Sequence, residues 1–194
     1  MKKRTKHVEK TEATKNRIIM AAIQEFGQRG ISGTTIEDIA AASSCNKALI
    51  YRHFGSREEL YKDVIHYIIH ERRQVFEDQP QTLEDLLSYW VDNTQSNRDV
   101  LRLFMQEAIR FGLHPIPFLK EQTNYYKLQA QKLQNLNLPP AIRQSPKMFL
   151  LALISLVTFP FAFPQITKMV TGANAESQAF NKRWKEFLVE MLRG

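Results

Sequence analysis

Residues 34–60 read TTIEDIAAASSCNKALIYRHFGSREEL. Ile36, Ile39 and Ala40 fall at helical spacing, and Thr34 with Glu37 forms a capping-box pattern ahead of them. Ser43, Ser44 and Cys45 make a short polar break. Asn46 is a good N-cap for a second helix over Lys47–Phe54, and Gly55 closes it. Two short helices separated by three or four residues have helix-turn-helix geometry, in which the second lies in the DNA major groove and the first braces it against the backbone. The second helix here would expose polar, cationic and aromatic groups, namely Lys47, Tyr51, Arg52 and His53. Its N-terminus would aim free N–H groups and a positive dipole end at phosphates.

The pattern extends outward as helix. Upstream, Ile19, Ala22, Ile23 and Phe26 stand at i, i+3, i+4 and i+7, and Gly30 is placed to end that helix. Downstream, Ser56 with Glu59 forms a second capping-box pattern, opening a helix that runs from about 57 to 79 and stops at Pro80. Thr82 with Asp85 opens a helix carrying Leu83, Leu86, Leu87, Trp90 and Val91. Asn97 is placed to cap residues 99–111. Pro115 and Pro117 precede a long helix reaching about Leu138, broken by Pro139 and Pro140. Pro146 introduces an apolar segment from 148 to 163, which Pro160 and Pro164 kink or end. A last helix over about 175–193 puts Phe180, Trp184, Phe187, Leu188, Met191 and Leu192 on one stripe. Neither an alternating strand run nor an internal repeat is present, so the expected class is all-α.

The chain has 194 residues, 43% of them hydrophobic and 24% charged, which suits a packed core. Lys and Arg number 27 against 20 Asp and Glu, a net charge of +7 that favours polyanionic partners. The excess is uneven. The first twenty residues hold seven cations (Lys2, Lys3, Arg4, Lys6, Lys10, Lys15, Arg17) and two acids, Glu9 and Glu12. Residues 1–12 are therefore expected to form a basic flexible arm adding salt-sensitive phosphate contacts. The start has neither an apolar run nor a small-residue cleavage site, and a cytoplasmic location is expected. The lone Cys45 excludes an internal disulfide framework and a cysteine metal cluster. No Gly-rich phosphate loop appears. No acid/base or nucleophilic grouping appears either, so the chain is not expected to be an enzyme, and neither a metal nor a cofactor is expected. His66 and His70 stand four apart, but the zinc-hydrolase glutamate and a third ligand are missing, so a solvated helix face is expected there.

In residues 13–62 the chain resembles the tetracycline-repressor (TetR) family of transcriptional regulators. The family pattern is roughly I-A-x-x-A-G-V-S-x-G-T-L-Y-x-H-F, a short turn, then K-E-x-L. Here it reads Ile39, Ala40, Ala41, Ala42, Ser43, Ser44, Cys45, Asn46, Lys47, Ala48, Leu49, Ile50, Tyr51, Arg52, His53, Phe54, then Arg57, Glu58 and Leu60. Upstream, Ile18, Ile19, Ala21, Ala22, Phe26, Gly30, Thr34 and Thr35 also fit. Several positions depart from the pattern, four of them with physical consequences. Ser44 stands where the turn glycine would be, so it must accept a left-handed conformation at some cost, or the turn differs. Cys45 replaces an apolar anchor. Asn46 for Ser keeps an N-cap, and Leu49 for Thr removes a hydroxyl that could touch phosphate or base.

The resemblance implies a three-helix DNA-binding domain at 13–55 and a larger helical domain for ligand binding and dimerisation at 56–194. It implies that Thr35 meets the phosphate backbone, that Lys47 and Ala48 face base edges, that Tyr51 and His53 approach phosphate or sugar, and that Arg57 clamps a phosphate. With Asn46, Leu49 and Arg52 these form the candidate set for double-stranded DNA. Phe54 is expected in the core, beside Ile39, Ala40 and Ile50.

The family's C-terminal helices carry a ligand pocket and a dimer interface. Aromatic, Met and charged residues of the central helices are the pocket candidates: Trp90, Phe104, Met105, Glu107, Phe111, Tyr125, Tyr126 and Phe149. Such a lining suits a small, largely apolar effector. The apolar segment and the last stripe supply Leu153, Val157, Phe180, Trp184, Phe187, Leu188 and Met191 for a two-fold homodimer contact. The function expected is a ligand-responsive repressor, bound as a homodimer to a near-palindromic operator and released by that effector. The rival is a membrane-associated protein using the basic arm and residues 148–164. That segment is at the lower length limit for a span and holds two prolines, so no membrane partner is expected.

Overall fold

The computed structural model describes residues 2–77, 82–134, 138 and 144–193. Among these the chain is helical throughout, with α1 Lys2–Gly33, α2 Ile36–Ser43, α3 Lys47–Phe54, α4 Arg57–Glu77, α5 Leu83–Ser96, α6 Arg98–Phe111, α7 Leu119–Leu133, α8 Pro146–Ala162, α9 Pro164–Thr171 and α10 Gln178–Arg193. The all-α class is as expected. The breaks expected at Pro80, Pro139 and Pro140 lie outside the described residues. Residues 2–12, expected as an arm, have helical backbone continuous with α1.

The chain divides into two compact units, Met1–Glu71 with Arg102–Leu119, and Arg72–Leu101 with Lys120–Gly194. This division is not the one drawn at residue 55. The first half of α4 buries Leu60, Tyr61, Val64 and Ile65, and Leu103 of α6 is also buried. Their apolar stripes complete the core of α1–α3, in which α2 and α3 are too short to bury one another alone.

In the first unit, Ile18, Ala22 and Phe26 of α1 are buried with Ile36 and Ile39 of α2 and Ile50 and Phe54 of α3. The Phe26 and Tyr61 rings meet edge to face, centroids 5.4 Å apart. Gly30 breaks the helical path of α1 at φ 68°, ψ 168°, a backbone that glycine alone adopts readily. A Cβ there would stand 3.1 Å from Oε1 of Gln106. Between α6 and α7 the chain passes through two left-handed residues, Gly112 (φ 54°) and Phe118 (φ 55°). The Phe118 ring lies 5.9 Å from that of His66.

In the second unit, α5 packs on α8 and α10. Its core joins Leu86, Leu87 and Val91 to Leu150, Leu153 and Val157 of α8, and to Phe180 and Leu188 of α10. Asn181 of α10 donates to Asp92 at 2.9 Å and to Gln95 of α5, and Lys185 pairs with Asp92 at 3.0 Å. The apolar run expected as a possible membrane segment thus buries one face within this unit. No single helix among the described residues is long and apolar enough to cross a membrane. α8 and α9 reach that length only together, and they bend by 88° at their junction.

Candidate nucleic-acid interface

α2 is held at its start by a true capping box, one residue later than the sequence pattern suggests. Thr35 Oγ1 accepts from the Asp38 N–H at 3.1 Å, and Asp38 Oδ2 accepts from the Thr35 N–H at 2.9 Å. Thr34 turns inward instead. It is fully buried, and its hydroxyl reaches the carbonyls of Gly30 at 2.9 Å and Glu25 at 3.1 Å. Ser44 ends α2 at φ 52°, ψ 38°, the left-handed geometry expected for the turn position. The Cys45 N–H then donates to the Ala40 carbonyl at 3.0 Å, and Arg17 Nη2 lies 3.2 Å from the Cys45 sulfur.

α3 starts as expected at Asn46, whose side-chain oxygen accepts from the Leu49 N–H at 2.8 Å. Ile50 and Phe54, one turn apart, are buried. The other face carries Lys47, Ala48, Tyr51 and Arg52, all exposed, with Tyr51 at 50%. Leu49 and His53 are half-buried at the margins. The helix is fixed by its apolar edge and presents the remainder outward, as a groove-reading helix must.

The electrostatics of this face are not those of free cations. Lys47 Nζ is hydrogen-bonded to Oε1 of Glu37 on α2. That bond holds the Glu37 carboxyl below its ordinary pKa and the Lys47 ammonium above its own. Arg57 donates to the Thr34 carbonyl at 3.1 Å and to Glu58 at 2.9 Å, so it braces the turn before α2. Thr35, expected to meet the phosphate backbone, has its hydroxyl engaged by Asp38, with Oγ1 2.6 Å from Asp38 Oδ2. Burial, reinforced by Arg52 and Lys15, lowers the His53 pKa, which keeps the imidazole neutral at pH 7.

The pocket candidates divide between the two units. Phe104, Met105, Glu107 and Phe111 belong to the first unit; Trp90, Tyr125, Tyr126 and Phe149 belong to the second. Trp90 and Phe149 are partly buried and pack against the second unit's core. Glu107 is buried and accepts from the Tyr61 hydroxyl at 3.2 Å, beside a cavity of about 120 Å³ lined by Arg29, Gly30, Gln106 and Arg110. Tyr126 alone borders the larger space, a groove of about 510 Å³ between α7 and α8 floored by Leu150 and Ile154 and flanked by Lys127 and Lys147. Sequence reasoning missed these lysines. They carried no motif, and only the pairing of α7 with α8 brings them to one place.

The dimer candidates split by burial. Leu153, Val157, Phe180 and Leu188 lie in the core of their own unit and are corrected, since a side chain under 8% exposed has no area to offer a partner. Trp184 is half-buried, stacked between Phe180 and Phe187, and donates from its indole to the Leu156 carbonyl at 3.3 Å. Phe187 and Met191 are exposed, as are Met148, Leu151 and Phe159 of α8 and Met169 of α9, which the sequence reading did not select. His66 and His70 are exposed, and among the described residues no three His, Cys, Asp or Glu side chains converge as a metal site.

The sequence model of the bacterial regulatory proteins, tetR family, matches residues 18–64, from the second half of α1 into the start of α4. The HTH-type transcriptional repressor SCO4008 of Streptomyces coelicolor is 27% identical over 165 residues, 83% of this chain and 85% of that protein. The probable acrEF/envCD operon repressor of Escherichia coli K12 is 41% identical over 66 residues, 33% of this chain and 28% of that one. Among solved structures, the putative transcriptional regulator SCO4942 from S. coelicolor shares the fold with TM-score 0.70 and 21% identity, over 92% of this chain and 97% of that one. A putative regulator from Saccharomonospora viridis in complex with choline does so with TM-score 0.63 and 17% identity, over 91% and 96%. Capped helices, a left-handed turn, an outward cationic helix and a family match over the same residues coincide: over residues 18–64 the chain is similar to the tetR family of bacterial regulatory proteins, and the likeness supports a DNA-binding transcriptional regulator.

Proposed function

We propose that the chain is a homodimeric repressor that binds a near-palindromic operator through α3 of both subunits and releases it on binding a small amphipathic effector. The observation that carries the reading is α3 itself. Its apolar edge is locked into the first unit, while Lys47, Ala48, Tyr51 and Arg52 face solvent beside a helix N-terminus. A two-fold pair of such helices about 34–36 Å apart would enter successive major grooves on one side of a duplex. The exposed apolar side chains of α8, α9 and α10 are material for the subunit contact, and their charge-free character suits a dimer core.

For the effector, the groove between α7 and α8 is the better site. Its volume of about 510 Å³ falls within the usual range for small-ligand sites, ~300–1,000 Å³, whereas the 120 Å³ cavity near Glu107 does not. An apolar floor with two lysines at its rim fits an apolar body bearing an anionic group. Release requires only that the ligand bind more tightly to the arrangement unable to span two grooves. Repression is supported by the named role of the relatives, and a cytoplasmic location follows from the need to reach the chromosome.

The test is a salt-titrated binding assay on DNA upstream of the chain's own coding region, with and without medium-chain carboxylates. Expected are a steep loss of affinity with salt, a two-subunit stoichiometry, and release by the carboxylate. Affinity that ignores both salt and sequence would refute the reading.

A further inference from the structure

The pair Lys47–Glu37 joins the first residue of the reading helix to the first turn of its bracing helix. It is not needed to hold the two helices together. Ile36, Ile39 and Ile50 are buried around the turn, and the Cys45 N–H bond to Ala40 closes it. Both partners of the pair are more than half exposed, where an ion pair adds little to folding. The pair lies instead on the surface that meets the duplex.

We propose that Glu37 is a specificity-determining residue, which holds Lys47 back from phosphates and so suppresses binding to non-cognate DNA. This rests on the DNA-binding reading and goes beyond it. On an arbitrary sequence, Lys47 can exchange Glu37 only for a phosphate. That exchange replaces one anion by another and leaves the Glu37 carboxylate unpaired beside a polyanion. On a cognate sequence, a base edge with acceptors, such as the O6 and N7 atoms of guanine, rewards the release of Lys47 directionally. Glu37 therefore lowers affinity everywhere but lowers it most where no base edge compensates. The device is repulsion against the wrong partner in place of further attraction to the right one. The other carboxylates near the surface are differently placed: Asp38 is engaged by Thr35 and Arg29, and Glu58 by Arg57.

The experiment compares wild type, Glu37→Gln, Lys47→Ala and the double variant on two duplexes, one selected by the wild-type chain from a random pool and one of scrambled sequence, over a salt series. Circular dichroism melting controls for folding. Expected for Glu37→Gln is a gain of roughly tenfold on the scrambled duplex at low salt, with a salt slope steeper by about one per subunit and a smaller gain on the selected duplex. In the Lys47→Ala background the gain on the scrambled duplex should shrink at least about threefold, since the coupling needs both partners. An equal gain on both duplexes, no gain, or a gain untouched by Lys47→Ala overturns the proposal while leaving DNA binding intact. A wild-type chain that selects no duplex overturns the DNA-binding reading and this inference with it.

Discussion

The hydroxyl of Tyr61 on α4 donates to Oε1 of Glu107 on α6 across 3.2 Å, in a part of the first unit where both residues are at most 5% exposed. Burial, with the Glu107 charge and hydrogen bond adding to it, raises the Tyr61 pKa well above its ordinary value. Tyr61→Phe removes a donor from a buried carboxylate and should cost about 1–3 kcal/mol in urea unfolding. The phenol is protonated in the fold and ionises first in the unfolded chain. Its contribution is therefore complete below about pH 10, the unfolded value, and is lost as pH rises above it. Tyr61→Phe should flatten that alkaline fall.

Lys47→Ala and Tyr51→Ala each remove an exposed side chain from α3 and none from the core. Specific affinity should fall for both, for Lys47→Ala by roughly 5- to 150-fold, the range of a lost base-edge contact, with circular dichroism and subunit stoichiometry unchanged. Retained affinity in gel-shift titration would contradict the docking through α3.

Ser44 occupies the left-handed region at φ 52°. Ser44→Gly should raise stability by about 0.5–1 kcal/mol, because the left-handed penalty exceeds the extra chain entropy that glycine brings. The reading is the urea midpoint. A lower midpoint would mean that the serine is held without strain.

Phe187 and Met191 are exposed on α10, whereas Leu153 is wholly buried on α8. Phe187→Asp should yield a monomer by sedimentation with its helix content kept. Leu153→Asp should unfold the second unit instead, since a buried unpaired carboxylate costs several kcal/mol. If Phe187→Asp remains a dimer, the contact does not use this face of α10.

His53 is neutral at pH 7 because burial disfavours its charge, followed by Arg52 and Lys15, while Glu12 acts the other way. In the free protein this lowered pKa makes stability fall as pH drops through about 6.5, where the unfolded chain takes up the proton first. A nearby phosphate would oppose the shift. Binding should then take up a proton and strengthen as pH falls from 7 to 6, by at most about tenfold per pH unit. His53→Asn should remove that dependence in fluorescence anisotropy.

The helix-turn-helix was legible because its signals are local: Asn46 as a cap, Gly55 as a stop, and Ile50 with Phe54 one turn apart. The capping box was misplaced by one residue because Thr34 and Thr35 each precede an acid by three. Which threonine turns inward depends on the carbonyls of Glu25 and Gly30, and no local pattern encodes that contact. Periodicity likewise found the apolar residues of α8 and α10. It could not divide them between their own core and a free face, because α5 decides which side is covered. The engagement of Lys47 by Glu37 was invisible for the same reason: the partners are ten residues apart, and the turn alone brings them together.

Phe118 keeps a left-handed backbone that a bulky side chain holds only at a cost of about 1–3 kcal/mol, with its ring set against His66. The strain sits at one end of a seven-residue connection whose other end, Gly112, adopts the same conformation without penalty. Peeling Phe118 from His66 relaxes the backbone even as it exposes the ring, so the strain offsets part of what local opening of this connection costs.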